Sequence, residues 1–114
     1  MATIAKSSIR GNAAMSITTD AIATGRYFQL VSVGLAFSVA PTSSESFTVT
    51  LNAAAGEDHD MLLYSVDPAA SVATDILYQP DAPIYLAAGD YLDIAYANTD
   101  NRTWAVQVVW REVY

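Results

Sequence analysis

The chain has 114 residues, no cysteine, 53% hydrophobic residues and a formal charge of −7 from twelve acids and five bases. That length makes one domain with a core of its own, and the missing cysteines exclude disulfide frameworks, thiol nucleophiles and thiolate metal sites. Five scattered bases, Lys6, Arg10, Arg26, Arg102 and Arg111, give no footprint for a phosphate backbone, so no nucleic-acid partner is expected. No apolar run approaches the ~18 residues of a membrane span, and no membrane partner is expected. The opening MATIAKSSIRG lacks the apolar centre of a signal peptide, so the expectation is a soluble protein made in the cytosol.

Residues 1–12 are polar, with single apolar residues at Ile4 and Ile9. They read as a first strand, as a frayed terminus, or as an extended arm that orders only against a neighbour. The expected division is an N-terminal arm, 1–12, and a single β-sandwich domain, 13–114. Ala13 to Asp20 is a modest strand, with Met15 and Ile17 on one face. Arg26 to Ala40 is a long one. Its alternation puts Val31, Val33, Leu35, Phe37 and Val39 on one face and the small residues Ser32, Gly34, Ala36 and Ser38 on the other. The small face suits a flat solvent-facing side or a closely packed second subunit, and Gly34 marks a bulge or a close approach.

Ser46 to Ala53 alternates cleanly, with Phe47, Val49 and Leu51 inward. Asp60 to Val66 is the next strand, with Leu62, Tyr64 and Val66 opposite Met61 and Leu63. A short strand follows around Ile76 to Tyr78. Pro80 and Pro83 donate no ladder hydrogen bonds and bracket a connection. Ile84 to Leu86 and Tyr91 to Ala97 then flank the turn Ala87-Ala88-Gly89-Asp90, in which Gly89 supplies a positive φ. Asn98 to Asn101 is a second turn. Beyond it Trp104, Val106, Val108 and Trp110 recur at a spacing of two, the strongest apolar stripe in the chain. Burying each of these contributes roughly 1.5–3 kcal/mol, more for the tryptophans. About eight short strands, turn signals every 8–12 residues or so and no amphipathic helix predict an all-β antiparallel sandwich, jelly-roll-like, before an immunoglobulin-like one.

Chemistry-bearing constellations are sparse. Glu57, Asp58 and Asp60 form the one acidic loop, a weak candidate for calcium because the spaced D-x-D-x-D-G pattern is missing; a solvated loop is the competing role. His59 is the only histidine, which rules out a multi-histidine zinc site. Asp90, Asp93 and Asp100 read as turn and strand residues, not as a glycosidase pair. No nucleophile elbow or phosphate loop occurs, so no catalytic residue, no cofactor and no enzymatic activity are expected. Asn101-Arg102-Thr103 matches the N-glycosylation acceptor and falls in a turn. Seven tyrosines and two tryptophans serve either the core or an aromatic groove for a carbohydrate or protein partner.

The segment from Phe47 to Trp110, FTVTLNAAAGEDHDMLLYSVDP and then DILYQPDAPIYLAAGDYLDIAYANTDNRTWAVQVVW, resembles small virion proteins of tailed phages. Its L-x-x-G-D-x-L-x-I piece also resembles the late strands of tumour-necrosis-factor-type jelly rolls, which trimerise. The resemblance implies a capsid decoration or cement protein on the outer surface of a virion, with the major capsid protein as partner and a homotrimer as the assembly. The residues expected to carry shell and intersubunit contact are Ile4, Ile9 and Arg10 on the arm and Tyr85 and Tyr91 beside the Gly89 turn. The alternative it leaves open is a carbohydrate- or receptor-binding module of a head or tail fibre.

Overall fold

The computed structural model describes residues 3–113, except for the side chains of residues 3–8 and 57. Among the described residues nine strands form: β1 (Thr3–Gly11), β2 (Met15–Thr18), β3 (Tyr27–Phe37), β4 (Phe47–Asn52), β5 (Met61–Val66), β6 (Asp75–Tyr78), β7 (Ile84–Leu86), β8 (Tyr91–Tyr96) and β9 (Trp104–Val113). One turn of 3-10 helix, Glu57–His59, interrupts the β4–β5 connection. All the pairings are antiparallel. Sheet A runs β1-β9-β3-β6, with β7 beside the first half of β3; sheet B runs β2-β8-β4-β5.

The pairings nest. β1 lies on β9, β2 on β8, β3 on β6 and β7, and β4 on β5, so the first half of the chain is zipped against the second in reverse order. Two further ladders, β3 with β9 and β4 with β8, roll that ribbon into two sheets. The all-β antiparallel sandwich expected from the alternation is what the chain forms. The described residues hold nine strands against the about eight that the sequence predicts, because residues 3–11 pair along β9 throughout and so join sheet A. The boundary drawn at residue 12 therefore separates two strands of one sandwich. Residues 1 and 2 of the expected arm lie outside the described residues.

The core lies between the sheets. Leu30, Val33, Leu35, Phe37, Leu86 and the β9 stripe Trp104, Val106, Val108 and Trp110 meet Met15, Phe47, Val49, Leu92, Ile94 and Tyr96 from sheet B. Phe37 packs edge-on against Tyr96 across the gap, with ring centroids 5.5 Å apart. The β9 stripe is buried as its period demands, and β9 is flanked by β1 and β3 on both sides.

Two strands depart from strict alternation. In β3 the register against β9 slips between Leu30 and Ser32, so Val31 is the inserted residue. Leu30 and Val33 then both face the core, and Val31 leaves the face that simple alternation assigns it. The bulge thus sits three residues before Gly34, and a Cβ built on Gly34 meets nothing within 4 Å. Val39 lies past the strand end and is exposed. In β5 a second slip, opposite Val49 and Thr50, inserts Leu63. Tyr64 and Val66 keep their inward positions while Leu62 turns outward and is 58% exposed. A bulge adds one residue to one strand and inverts the phase of everything beyond it, which period counting cannot anticipate.

Candidate interaction surfaces

Side chains from three different connections hold one end of the sandwich together. Asn98, 2% exposed and at φ 53°, donates from Nδ2 to the carbonyls of Asn12 (3.2 Å), Ala13 (2.9 Å) and Arg102 (3.0 Å), and its Oδ1 accepts the Arg102 N–H at 2.9 Å. Trp104 Nε1 adds a bond to the Ala13 carbonyl at 2.8 Å. Asp100 accepts the N–H groups of Thr42 (2.6 Å) and Ser43 (2.9 Å) and both their hydroxyls. Glu45 returns the contact by accepting the N–H and hydroxyl of Thr99. The Ser43 N–H, the Ser43 hydroxyl and the Thr42 N–H hold the Asp100 carboxyl well below its usual value of 3.8. The Ser44 hydroxyl lowers Asp67 in the same way. Burial, and then the carboxylates of Glu45, Asp100 and Asp67, push the Tyr96 phenol up.

At the opposite end the Gly89 turn is clamped mostly by backbone. Gly89 N–H donates to the Ile22 carbonyl at 2.8 Å, and Ile22 N–H donates to the Asp90 carbonyl at 3.0 Å. Asp90 accepts the N–H groups of Ala54 (2.8 Å) and Ala87 (2.9 Å). Gly89 has φ +87°, and a Cβ there would lie 2.7 Å from that of Ala54. Asp90 and Asp100 thus fill turn-holding roles. Asp93 accepts from Thr18 Oγ1 at 2.8 Å and from Asn52 Nδ2 on the outer face of sheet B.

The acidic loop does not converge. Asp60 accepts the Ala53 N–H at 2.9 Å, Asp58 is exposed, and the side chain of Glu57 lies outside the described residues. Among the described residues no group of three His, Asp or Glu side chains is placed to hold a metal ion.

The expected contact residues fall on three different surfaces. Ile4 is a β1 residue paired with Arg111, and its side chain lies outside those described. Ile9, paired with Val106, is on the core side yet 46% exposed. It lines a cavity of about 500 Å³ between the β1 and β2 margins, walled by Ile17, Ile22, Phe28, Val106, Val108 and Trp110 and edged by Arg26. Arg26 stacks over Phe28 and pairs with Glu112, and that hydrogen bond holds the Glu112 carboxyl below its usual range. Arg10 and Tyr85 face outward from sheet A, paired with Ala105 and Gln29; Tyr85 is 55% exposed. Tyr91, paired with Asn52, faces outward from sheet B and is half-buried. Tyr85 and Tyr91 therefore do not share a surface: the turn between them carries the chain from one sheet to the other.

Most aromatic side chains serve the interior. Tyr64 and Tyr78 stack at 4.7 Å and close the sandwich between β5 and β6, where burial and Asp81 push the Tyr78 phenol up. Among the described residues, Tyr27 and Tyr85 are the large aromatics left exposed. Two exposed surface residues were not singled out from sequence, Leu77 and Asp75 on β6; four residues of strand gave no period long enough to orient them.

No protein-family model matches the chain, and no curated protein matches it in sequence. Among solved structures, the chain is similar to one from the acidic stable capsid structure of Helicobacter pylori bacteriophage KHP30. The TM-score is 0.57 at 16% identity, over 99% of this chain and 93% of that one. At that identity the likeness is one of fold.

Proposed function

We propose that the chain is a structural protein of a phage virion, a decoration or cement protein that binds the outer shell and stabilises contacts between major capsid subunits. The observation that carries the reading is the end-to-end likeness to a chain of a phage capsid structure, with little of either chain left over. Fold likeness alone is an analogy. It is joined here by the resemblance of the Phe47 to Trp110 segment to tailed-phage virion proteins and by polar clusters whose carboxylates and amide hold loops. The nested pairing order supports reading the sandwich as a jelly roll.

Such a protein acts by mass action. Binding the assembled shell and not its free subunits stabilises the assembled state by the difference in affinity. Weak contacts repeated by shell symmetry add up through avidity. The acidic charge keeps the protein off packaged DNA and suits the outside of the particle. Its synthesis belongs in the host cytoplasm, before assembly.

The test is to add purified protein to shells that lack it. Saturable binding at symmetry-related outer sites, with a raised shell melting temperature, is the expected result. Shells that leave the protein in solution, while it binds cell-surface glycans on an array, would overturn the reading in favour of a fibre module.

A further inference from the structure

The outer face of sheet A is polarised across its strands. Arg10 on β1, Ala105 on β9, Ala36 on β3 and Asp75 on β6 are successive Cα partners, so they form one row across the sheet. The row is basic at one margin, acidic at the other and methyl-sized between; both charged side chains are exposed. In the next row Gly34 lies between Gln107 and Leu77, and Leu77 is 63% exposed. Further along, Arg111 and Tyr85 flank Gln29.

We propose that this face packs on the same face of a second copy, across a two-fold axis that lies in the interface and runs parallel to the strands. That rotation keeps each row at its own level and reverses its direction. Arg10 then meets the partner's Asp75, and Asp75 meets the partner's Arg10, two equivalent ion pairs from one operation. Gly34 and Ala36 leave the sheets free to approach while Leu77 fills the space at the margin. β1, β9 and β3, nine to eleven residues long, with the short β6 and β7 sharing the remaining flank of β3, make a face of roughly 550 Å² at a strand spacing of ~4.8 Å. Two such faces bury about 1,100 Å², above the ~1,000 Å² a specific interface needs. The arrangement deepens the virion reading by giving the copies a contact of their own, and it differs from the threefold assembly that the sequence resemblance implies.

The experiment is sedimentation equilibrium on the wild type, Arg10→Asp, Asp75→Arg and the double swap. The wild type is expected at twice the chain mass. Each single swap should weaken self-association about tenfold or more, since like charges then face each other, and the double swap should restore it. Leu77→Glu on the same face should also give monomers, with thermal melting confirming that each variant folds. A wild type of single or triple mass, or a double swap no better than the singles, overturns the proposal. Shell occupancy by the same variants separates the two readings. Shells decorated by a monomeric wild type fell the interface and spare the virion role; a dimer rescued by the double swap beside bare shells does the reverse.

Discussion

The two ends of the sandwich are held by different chemistry. At the Asn98 end, carboxylates and one buried amide reach from one connection to the next and capture backbone groups. At the Gly89 end, the backbone of one turn fits directly against its neighbours, and a glycine makes room for the fit. The first arrangement is sensitive to the loss of a polar atom and to acid. The second, with Asp90 as its one carboxylate clamp, is most sensitive to the gain of a methyl group. A loop cluster can thus be fixed mainly by side-chain charge or mainly by steric economy, and the largest effects come from opposite kinds of substitution.

Asn98→Ala gives the sharpest break. It removes four hydrogen bonds from a site that is 2% exposed and puts alanine at φ 53°. A loss of about 3 kcal/mol is expected, read as a fall of roughly 10 °C in melting temperature. Asn98→Asp should recover little, since a carboxylate cannot donate to the three carbonyls. At the other end Gly89→Ala should cost about 2 kcal/mol, from φ +87° and the 2.7 Å approach to the Ala54 Cβ. Ala54→Gly in the same chain should return the contact share and leave the dihedral share, measured by denaturant titration. Asp90→Ala, which frees the N–H groups of Ala54 and Ala87, should cost about 1 kcal/mol.

The smallest effect at neutral pH separates the ends by mechanism. The Asp100 carboxyl is lowered in the fold, so its ionised form stabilises the protein above its usual value of 3.8, and that contribution fades as pH falls below it toward the folded value. Asp100→Asn should therefore melt slightly lower at neutral pH and show a shallower loss of melting temperature on acidification. An unchanged acid profile would show that ionisation of Asp100 adds nothing to the hold on the Asn98 end.

What the sequence disclosed follows from where the information lies. The β9 stripe was legible because Trp104, Val106, Val108 and Trp110 keep a strict period and the strand is buried on one face throughout. The Gly89 turn was legible because glycine and aspartate each state a local preference. The bulges at Val31 and Leu63 were not, since each is an interruption of the very period used for reading. Nor was the clamp at Asn98, whose partners on residues 12 and 13 lie far back along the chain. The candidate surface was half legible. Arg10 and Tyr85 were named, but Asp75 joins them only through the register of β6 on β3, and that register sets a base and an acid at the two ends of one row.

The nested order of pairing also constrains when the molecule can form. β1 has β9 as its ladder partner, and β9 is the last of the nine strands to leave the ribosome. Until it emerges, β1 has no ladder and β3 lacks one of its flanks, while β4 and β5 can already meet across a short connection. Synthesis therefore sets the early steps at the β4–β5 hairpin and defers closure of sheet A until the whole domain has been translated. A ribosome-stalled chain ending before Trp104 should be readily proteolysed in β1 and β3, and protection should appear in one step once β9 is released.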